Sequence, residues 1–259
     1  TYWCYGDAAQ VTNLKFSVGA NRNNNSNIGR IGFKNYNYGL GNIKNDTLNK
    51  NGQRIAIVKT SASINSYGVY ELFIQINADS SNLKWRIETT GQGLHHAWNF
   101  DFISSGLPTV AQFPDISKYV LPDSMYSMVS GFQNSEEVIT VANYVNMNRY
   151  YNVKDSLIVT ADIPGGIANT SSKGPTRDGR IKPDISATGH NIHSAMALGL
   201  QSQYLSFNRN SVAQGSMHVI GGGTSAASPV VAGLAALYLQ KYPNATNKNI
   251  KNSIRYCAY

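Results

Sequence analysis

The chain has 259 residues, 42% hydrophobic and only 14% charged. That is enough apolar material for one large domain or two smaller ones, with far less charge than the roughly 25% of an average globular protein. Its formal charge of +8 comes from Lys and Arg scattered singly or in pairs, which argues against the clustered basic face of a nucleic-acid binder. No apolar run approaches the ~18 residues a membrane-spanning helix needs. Cys4 and Cys257 lie near opposite ends and form no CxxC pair, which argues against a structural zinc site; free thiols are the default reading and a disulfide the alternative, for which the spacing gives no argument.

The chain opens on Thr1, without an initiator Met or a signal-peptide pattern, and so reads as a fragment or a processed product. Leu14, Phe16 and Val18 alternate with polar or small residues, and Asn21 to Asn27 reads as an exposed, Asn-rich loop. Ile55 to Val58 and Val69 to Ile76 are β-rich runs. Leu83, Trp85 and Ile87 alternate with Lys84, Arg86 and Glu88, and Trp98, Phe100 and Phe102 alternate with Asn99 and Asp101. A period of two sends one set of side chains to a buried face and the other to water, so Leu83, Trp85 and Ile87 are expected inside and their charged neighbours outside. With Gly/Asn/Ser-rich turns between them, these segments predict an antiparallel β-sandwich of jelly-roll type. No helix is expected before about Ser135.

Pro108, Pro114 and Pro122 punctuate a long connection. Beyond it, Glu137 to Ala142 is expected to form a buried strand and Ile185 to Ala187 another. Ser225 to Gln240 is the clearest helix, with Val230, Val231, Leu234, Leu237 and Tyr238 at helical spacing and Pro229 in its first turn. A last helix follows Thr246, a good N-cap, with Ile250, Ile254 and Cys257 on one face. The expected division is therefore β-rich residues 1–125 and α/β residues 126–259.

The chemistry concentrates in Gly223-Thr224-Ser225-Ala226-Ala227-Ser228-Pro229. A serine opening a helix sits at the positive end of the helix dipole, where its N–H can donate to an oxyanion. Gly221, Gly222 and Gly223 allow a turn without Cβ clashes, and Ala226, Ala227 and Gly233 let the helix approach its neighbours closely. The competing reading is a capping serine before an ordinary buried helix.

This segment resembles the serine motif of the subtilases, GTSMASP followed by a short apolar residue and Ala-Gly, with Ala226 in place of the usual Met. Glu137 to Ala142 resembles the family's VIxVGA strand. Ser171 to Ile185 (SSKGPTRDGRIKPDI) resembles its SSxGPTxDGRxKPDI segment, continuing into Ala187-Thr188-Gly189 where the family writes Ala-Pro-Gly. The resemblance covers roughly residues 130 to 259. It implies a subtilisin-like parallel sheet with flanking helices, incomplete in this chain. It also implies Ser225 as nucleophile, with Gly223 and Thr224 at the oxyanion and substrate-binding turn. Arg177, Asp178, Arg180, Lys182 and Asp184 read as loop and salt-bridge residues, not as catalytic groups.

Subtilases order their triad Asp, His, Ser, and here the first two are not found. No HGTxVA string is present. His95-His96 reads as a surface or half-buried pair, and His190, His193 and His218 follow the position where the family's base belongs. No (S/A)GN oxyanion motif precedes residue 137 in the right context; Gly41-Asn42 sits in a turn-rich loop. The resemblance thus implies a serine endopeptidase whose Asp and His lie on an upstream segment or partner chain, with peptide or protein as substrate. The alternative is a pseudoprotease, or a binding or adhesion module on a subtilase scaffold. The β-rich half occupies the position of a jelly-roll insertion found in some bacterial subtilases. No cofactor is identifiable. Calcium is common in the full enzymes of the family, but no metal ligands are assignable here. A secreted, cell-surface or periplasmic location is expected.

Overall fold

A computed structural model describes residues 1–22, 26–99, 109–120, 123 and 125–258. The chain divides into two compact units, Thr1–Leu121 and Pro122–Tyr259. The first contains β1 (Tyr2–Asp7), α1 (Ala8–Val11), β2 (Lys15–Arg22), β3 (Asn27–Arg30), β4 (Ile43–Lys50), β5 (Gln53–Ile64), β6 (Val69–Ala78), β7 (Leu83–Thr90) and β8 (His96–Asn99). These form a five-stranded sheet, β4-β5-β6-β1-β8, and a three-stranded sheet, β3-β2-β7, in which the strand pairs are antiparallel.

The period of two sets the core. Ala56, Val58 and Ala62 on β5 and Tyr70, Leu72 and Ile74 on β6 are buried, and they pack with Phe16, Val18 and Ala20 from the smaller sheet. The Tyr70 hydroxyl is satisfied inside by the Tyr36 carbonyl at 2.6 Å, as a buried polar group requires.

Three expectations for this half need correction. β7 does not alternate cleanly: Trp85 and Ile87 pack against the core but remain only half-buried, and Arg86 is not outside. The cause is Gly19, which faces Arg86 across the β2–β7 ladder. With no side chain there, the guanidinium lies against the strand and donates to Glu88 at 2.6 Å, to Asn27 at 3.1 Å and to Asn21. The Asn-rich loop is also shorter than expected, since β2 runs to Arg22 and β3 starts at Asn27; residues 23–25 lie outside the described set. Helical turns do precede Ser135. α1 is capped by the Asp7 carboxylate accepting from Ala9 N at 2.8 Å, and 3-10 turns span Pro114–Lys118 and Gly131–Gln133. Phe100, Phe102, Pro108 and Pro122 lie outside the described residues.

The second unit contains β9 (Val141–Val145), β10 (Arg149–Tyr151), β11 (Leu157–Val159), β12 (Ile185–His190), β13 (Ile192–Ala195), α2 (Gln201–Phe207), β14 (His218–Gly221), α3 (Thr224–Lys241) and α4 (Asn247–Tyr256). β9 and β12 pair in parallel, whereas β10/β11 and β13/β14 are antiparallel pairs. Val141 and Ala187 from the parallel pair pack on Ala227 and Val231 of α3 and on Ile250 and Ile254 of α4. The unit is thus a mixed helix-and-sheet arrangement.

Here too the boundaries move. The strand expected over Glu137 to Ala142 is Val141–Val145 instead. The main chain before it is taken by side chains: Lys251 Nζ donates to the Glu136 carbonyl at 2.9 Å, Asn247 Nδ2 to Glu137, and Lys182 Nζ to Val138 at 2.6 Å. α3 starts one residue earlier than expected. Pro229 is therefore its sixth residue, outside the first turn, and its missing N–H leaves the Ser225 carbonyl without an i+4 donor. Thr246 caps α4 reciprocally with Asn249, but Cys257 is the exposed C-cap and does not share the buried face of Ile250 and Ile254.

Candidate active site

β14 leads through three glycines into α3. Gly222 and Gly223 have φ of +127° and +149°, a region that side-chain-bearing residues rarely enter. Space is as demanding as conformation. A Cβ on Gly222 would stand 2.0 Å from the Gly189 carbonyl oxygen, and Gly223 N donates to that same oxygen at 2.5 Å. Gly189 closes the contact from the other side, where a Cβ would meet the Gly223 carbonyl at 2.6 Å and the Ala227 and Asn143 Cβ atoms at 2.8 Å. The turn before the serine is thus clamped to the carboxyl end of β12, the end of a parallel sheet at which α/β folds place their ligands.

Thr224 and Ser225 are the first two residues of α3. Ala226 N and Ala227 N both donate to the Gly223 carbonyl, so the Thr224 and Ser225 amides are the ones left pointing out of the helix start. Ser225 is exposed, and Thr224 and Gly223 are half-buried. An exposed serine with its own N–H unused by the helix therefore stands, next to a half-buried threonine, at the positive end of an 18-residue helix.

Two residues beside this turn carry signals that the sequence did not give. Asn143 on β9 is fully buried with neither amide atom hydrogen-bonded, and the Thr188 hydroxyl on β12 is likewise buried without a partner. Thr188 stands where the family has proline, and the β9/β12 register shifts between it and His190. Beyond that shift Asp162 accepts from Thr160 Oγ1 at 2.7 Å and from Asn191 Nδ2 at 2.9 Å, with His190 Nε2 at 3.4 Å. The Thr160 hydroxyl first, then Asn191, hold its carboxyl below the usual range. The Asn191 and His190 contacts reach Asp162 from 29 and 28 positions away and have no local pattern to announce them.

His193 on β13 and His218 on β14 are exposed. In the first unit, His95 lies 3.3 Å from the Tyr2 hydroxyl and edge-on to Phe16, and burial, then His96, lowers its pKa.

The charged loop holds two sets of ion pairs. Asp178 accepts from Thr176 and from Arg180 at 2.8 Å, which brings its carboxyl down to about 2. Asp184 is almost fully buried and accepts from Lys182 at 2.7 Å, Lys251 at 3.0 Å and Thr140 N at 2.8 Å. Burial pushes its pKa up, but these donors outweigh it and the carboxyl is lowered. Burial likewise lowers the Lys182 ammonium. Among the described residues no cluster of three or more His, Cys, Asp and Glu could hold a metal ion, and no helix is long and apolar enough to cross a membrane.

The sequence profile of the subtilase family matches residues 111–258, reaching farther upstream than the motifs alone. Serine protease AprX of Bacillus subtilis (strain 168) is 35% identical over 134 residues, which is 52% of this chain and 27% of that protein. An uncharacterized protein of Aquifex aeolicus (strain VF5), aq_aa18, is 38% identical over 122 residues, 45% of this chain and 48% of that one. The chain therefore spans between about a quarter and a half of the curated relatives it matches. No solved structure matches it. With more than half of its length matched by the family profile, the chain belongs to the subtilase family.

Proposed function

We propose that this chain carries the nucleophile of a serine endopeptidase. The carrying observation is the exposed Ser225 at the start of α3, on a turn clamped by Gly189. Ser225 Oγ attacks the scissile carbonyl carbon while its proton passes to a histidine base. The carbonyl oxygen becomes an oxyanion that accepts from the Ser225 N–H, with the Thr224 hydroxyl in support and Gly223 leaving room for the substrate backbone. Collapse expels the amine, which takes the proton, and leaves an acyl-enzyme on Ser225 that water hydrolyses by the same route.

The base and its orienting Asp belong to an upstream segment or a partner chain. One feature of α3 supports this. It buries Ala227 and Val231 but leaves Val230, Leu234 and Leu237 at 49%, 47% and 65% exposure. A helix that is apolar around its whole circumference belongs in a core, and a polypeptide bearing the remaining sheet strands would cover it. The antiparallel sheets of the first unit fit the position of a jelly-roll-like insertion into the protease domain, so that residues 1–125 are insert and 126–259 are catalytic core. The polar, weakly charged composition fits a secreted or cell-surface protein.

A fluorophosphonate probe tests this reading in the full-length protein. Labelling is expected on Ser225 and should vanish in Ser225→Ala; an unlabelled full-length protein would leave a non-catalytic scaffold.

A further inference from the structure

The chain has only five histidines, and two of them stand on one face of the ribbon that leads into the glycine turn. β13 and β14 pair antiparallel, with His193 opposite Ile220 and Ala195 opposite His218. Alternate residues of a strand project to the same side, so all four share one face. His193, Ala195 and His218 are exposed on it and Ile220 is buried. The hydrogen-bond ladder fixes how close the side chains come. Met196 N donates to the Met217 carbonyl at 3.0 Å, which makes Met196–Met217 a hydrogen-bonded pair. By alternation, Ala195–His218 and His193–Ile220 are then non-hydrogen-bonded pairs, the class in which side chains approach most closely. His193 and His218 are the diagonal neighbours of these two pairs. Such diagonals lie roughly 7 Å apart, within reach of long side chains.

The space around His218 is open. Its cross-strand neighbours are small, Ala195 on β13 and, on the other side, Ala213, whose N donates to the His218 carbonyl at 2.9 Å. Among the described residues neither His193 nor His218 has a hydrogen-bond or ion-pair partner for its ring. His190, by contrast, lies against Asp162, and His95 against the Tyr2 hydroxyl. Two unengaged imidazoles on adjacent strands form a chelate suited to zinc, copper(II) or nickel. Two nitrogens at about 2.0–2.1 Å from a tetrahedral zinc stand roughly 3.3 Å apart, a spacing that rings leaning together along this diagonal reach. No third His, Cys, Asp or Glu joins them among the described residues. Water therefore fills the remaining positions, unlike the closed cage of a structural zinc site.

We propose that His193 and His218 bind one divalent transition-metal ion, which bridges β13 to β14 on their exposed face. β14 ends at Gly221, so the ion ties the approach to the glycine turn to its neighbouring strand. Ile192, next to His193, already touches that turn, 3.4 Å from where a Cβ of Gly222 would stand. The site is independent of the peptidase reading, since it uses none of the chemistry at Ser225.

Calorimetric titration of zinc, nickel and copper(II) into tag-free, EDTA-stripped, full-length Ser225→Ala protein tests it. One ion per chain is expected, copper(II) binding the tightest. His193→Gln and His218→Gln should each weaken binding about ten-fold or more, because losing one of two ligands costs at least what losing an outer-sphere partner does. Saturating zinc should raise the melting temperature of the parent and not of these two variants, and the same melting curves report that the variants are folded. His218→Cys returns a zinc ligand and should recover zinc binding, whereas His96→Ala, in the first unit, should leave every titration unchanged. Absence of saturable binding, undiminished binding in either Gln variant, or loss of binding in His96→Ala would each overturn the proposal.

Discussion

The two units solve the problem of burial differently. In the first, Phe16, Val18, Leu48, Val58, Tyr70, Leu72 and Ile74 share one core between two sheets. In the second, the core cluster is a short patch where one face of α3 meets Val141, Ala187, Ile250 and Ile254, and Leu234 and Leu237 stay in solvent. The contrast teaches that local pattern makes an element but does not complete a layer. α3 folds as a helix of 18 residues, yet Val230, Leu234 and Leu237 remain 49%, 47% and 65% exposed.

The largest expected effect separates chemistry from packing. Ser225→Ala should lower kcat of the full-length protein on the order of 10⁶-fold while leaving its melting curve within a degree or so of the parent, because an exposed hydroxyl contributes little stability. Peptide cleavage persisting in the pure variant would end the assignment.

Next come substitutions that weigh the two cores. Phe16→Ala should cost about 3–5 kcal/mol in chemical denaturation, whereas Trp85→Ala, at a half-buried position, should fall below that range. In the second unit the heaviest single loss should come from Asp184→Asn, about 3–5 kcal/mol, because it strands the buried Lys182 ammonium. Asp184 also sets an acid limit. Its carboxyl is lowered in the folded state, so its contribution is full above the unfolded value of about 3.9 and is lost as pH falls through the lower folded value. Asp184→Asn should flatten the stability–pH curve in that window; an unchanged acid slope would count against the network.

Leu237→Ala sharpens the comparison itself. In residues 1–259 alone it should change stability by under about 0.5 kcal/mol, as an exposed site does. In the full-length protein it should cost about 2–5 kcal/mol once the helix face is covered. Equal small values in both would remove the argument for a covering segment. The smallest effect belongs to Thr246→Ala, about 1 kcal/mol from loss of the reciprocal cap of α4, read as a shift in the denaturation midpoint.

Legibility followed the range of the interactions. The helix at Ser225, the cap at Thr246 and the alternation on β5 and β6 rest on neighbours within a few residues, and the sequence displays them. β7 misleads because Arg86 is sheltered by Gly19, 67 positions away, a partner that no periodicity reveals. The strand expected at Glu137 starts later because Lys182, Asn247 and Lys251 claim its carbonyls from far along the chain. Around Ser225 the motif announced the serine and its glycines. It was silent on Asn143 and on the Asp162–His190 contact, which only the tertiary fold brings into view.

The clamp on the glycine turn is made almost wholly of main-chain atoms. Gly223 N meets Gly189 O, and Gly222 lies flat against the same peptide. A contact of this kind leaves evolution little to edit: a carbon added at Gly189 or Gly222 would collide with it, and a side chain at Gly223 would be strained at its φ of +149°. Drift in this lineage should therefore run freely through the neighbours of Ser225 and halt at its glycines.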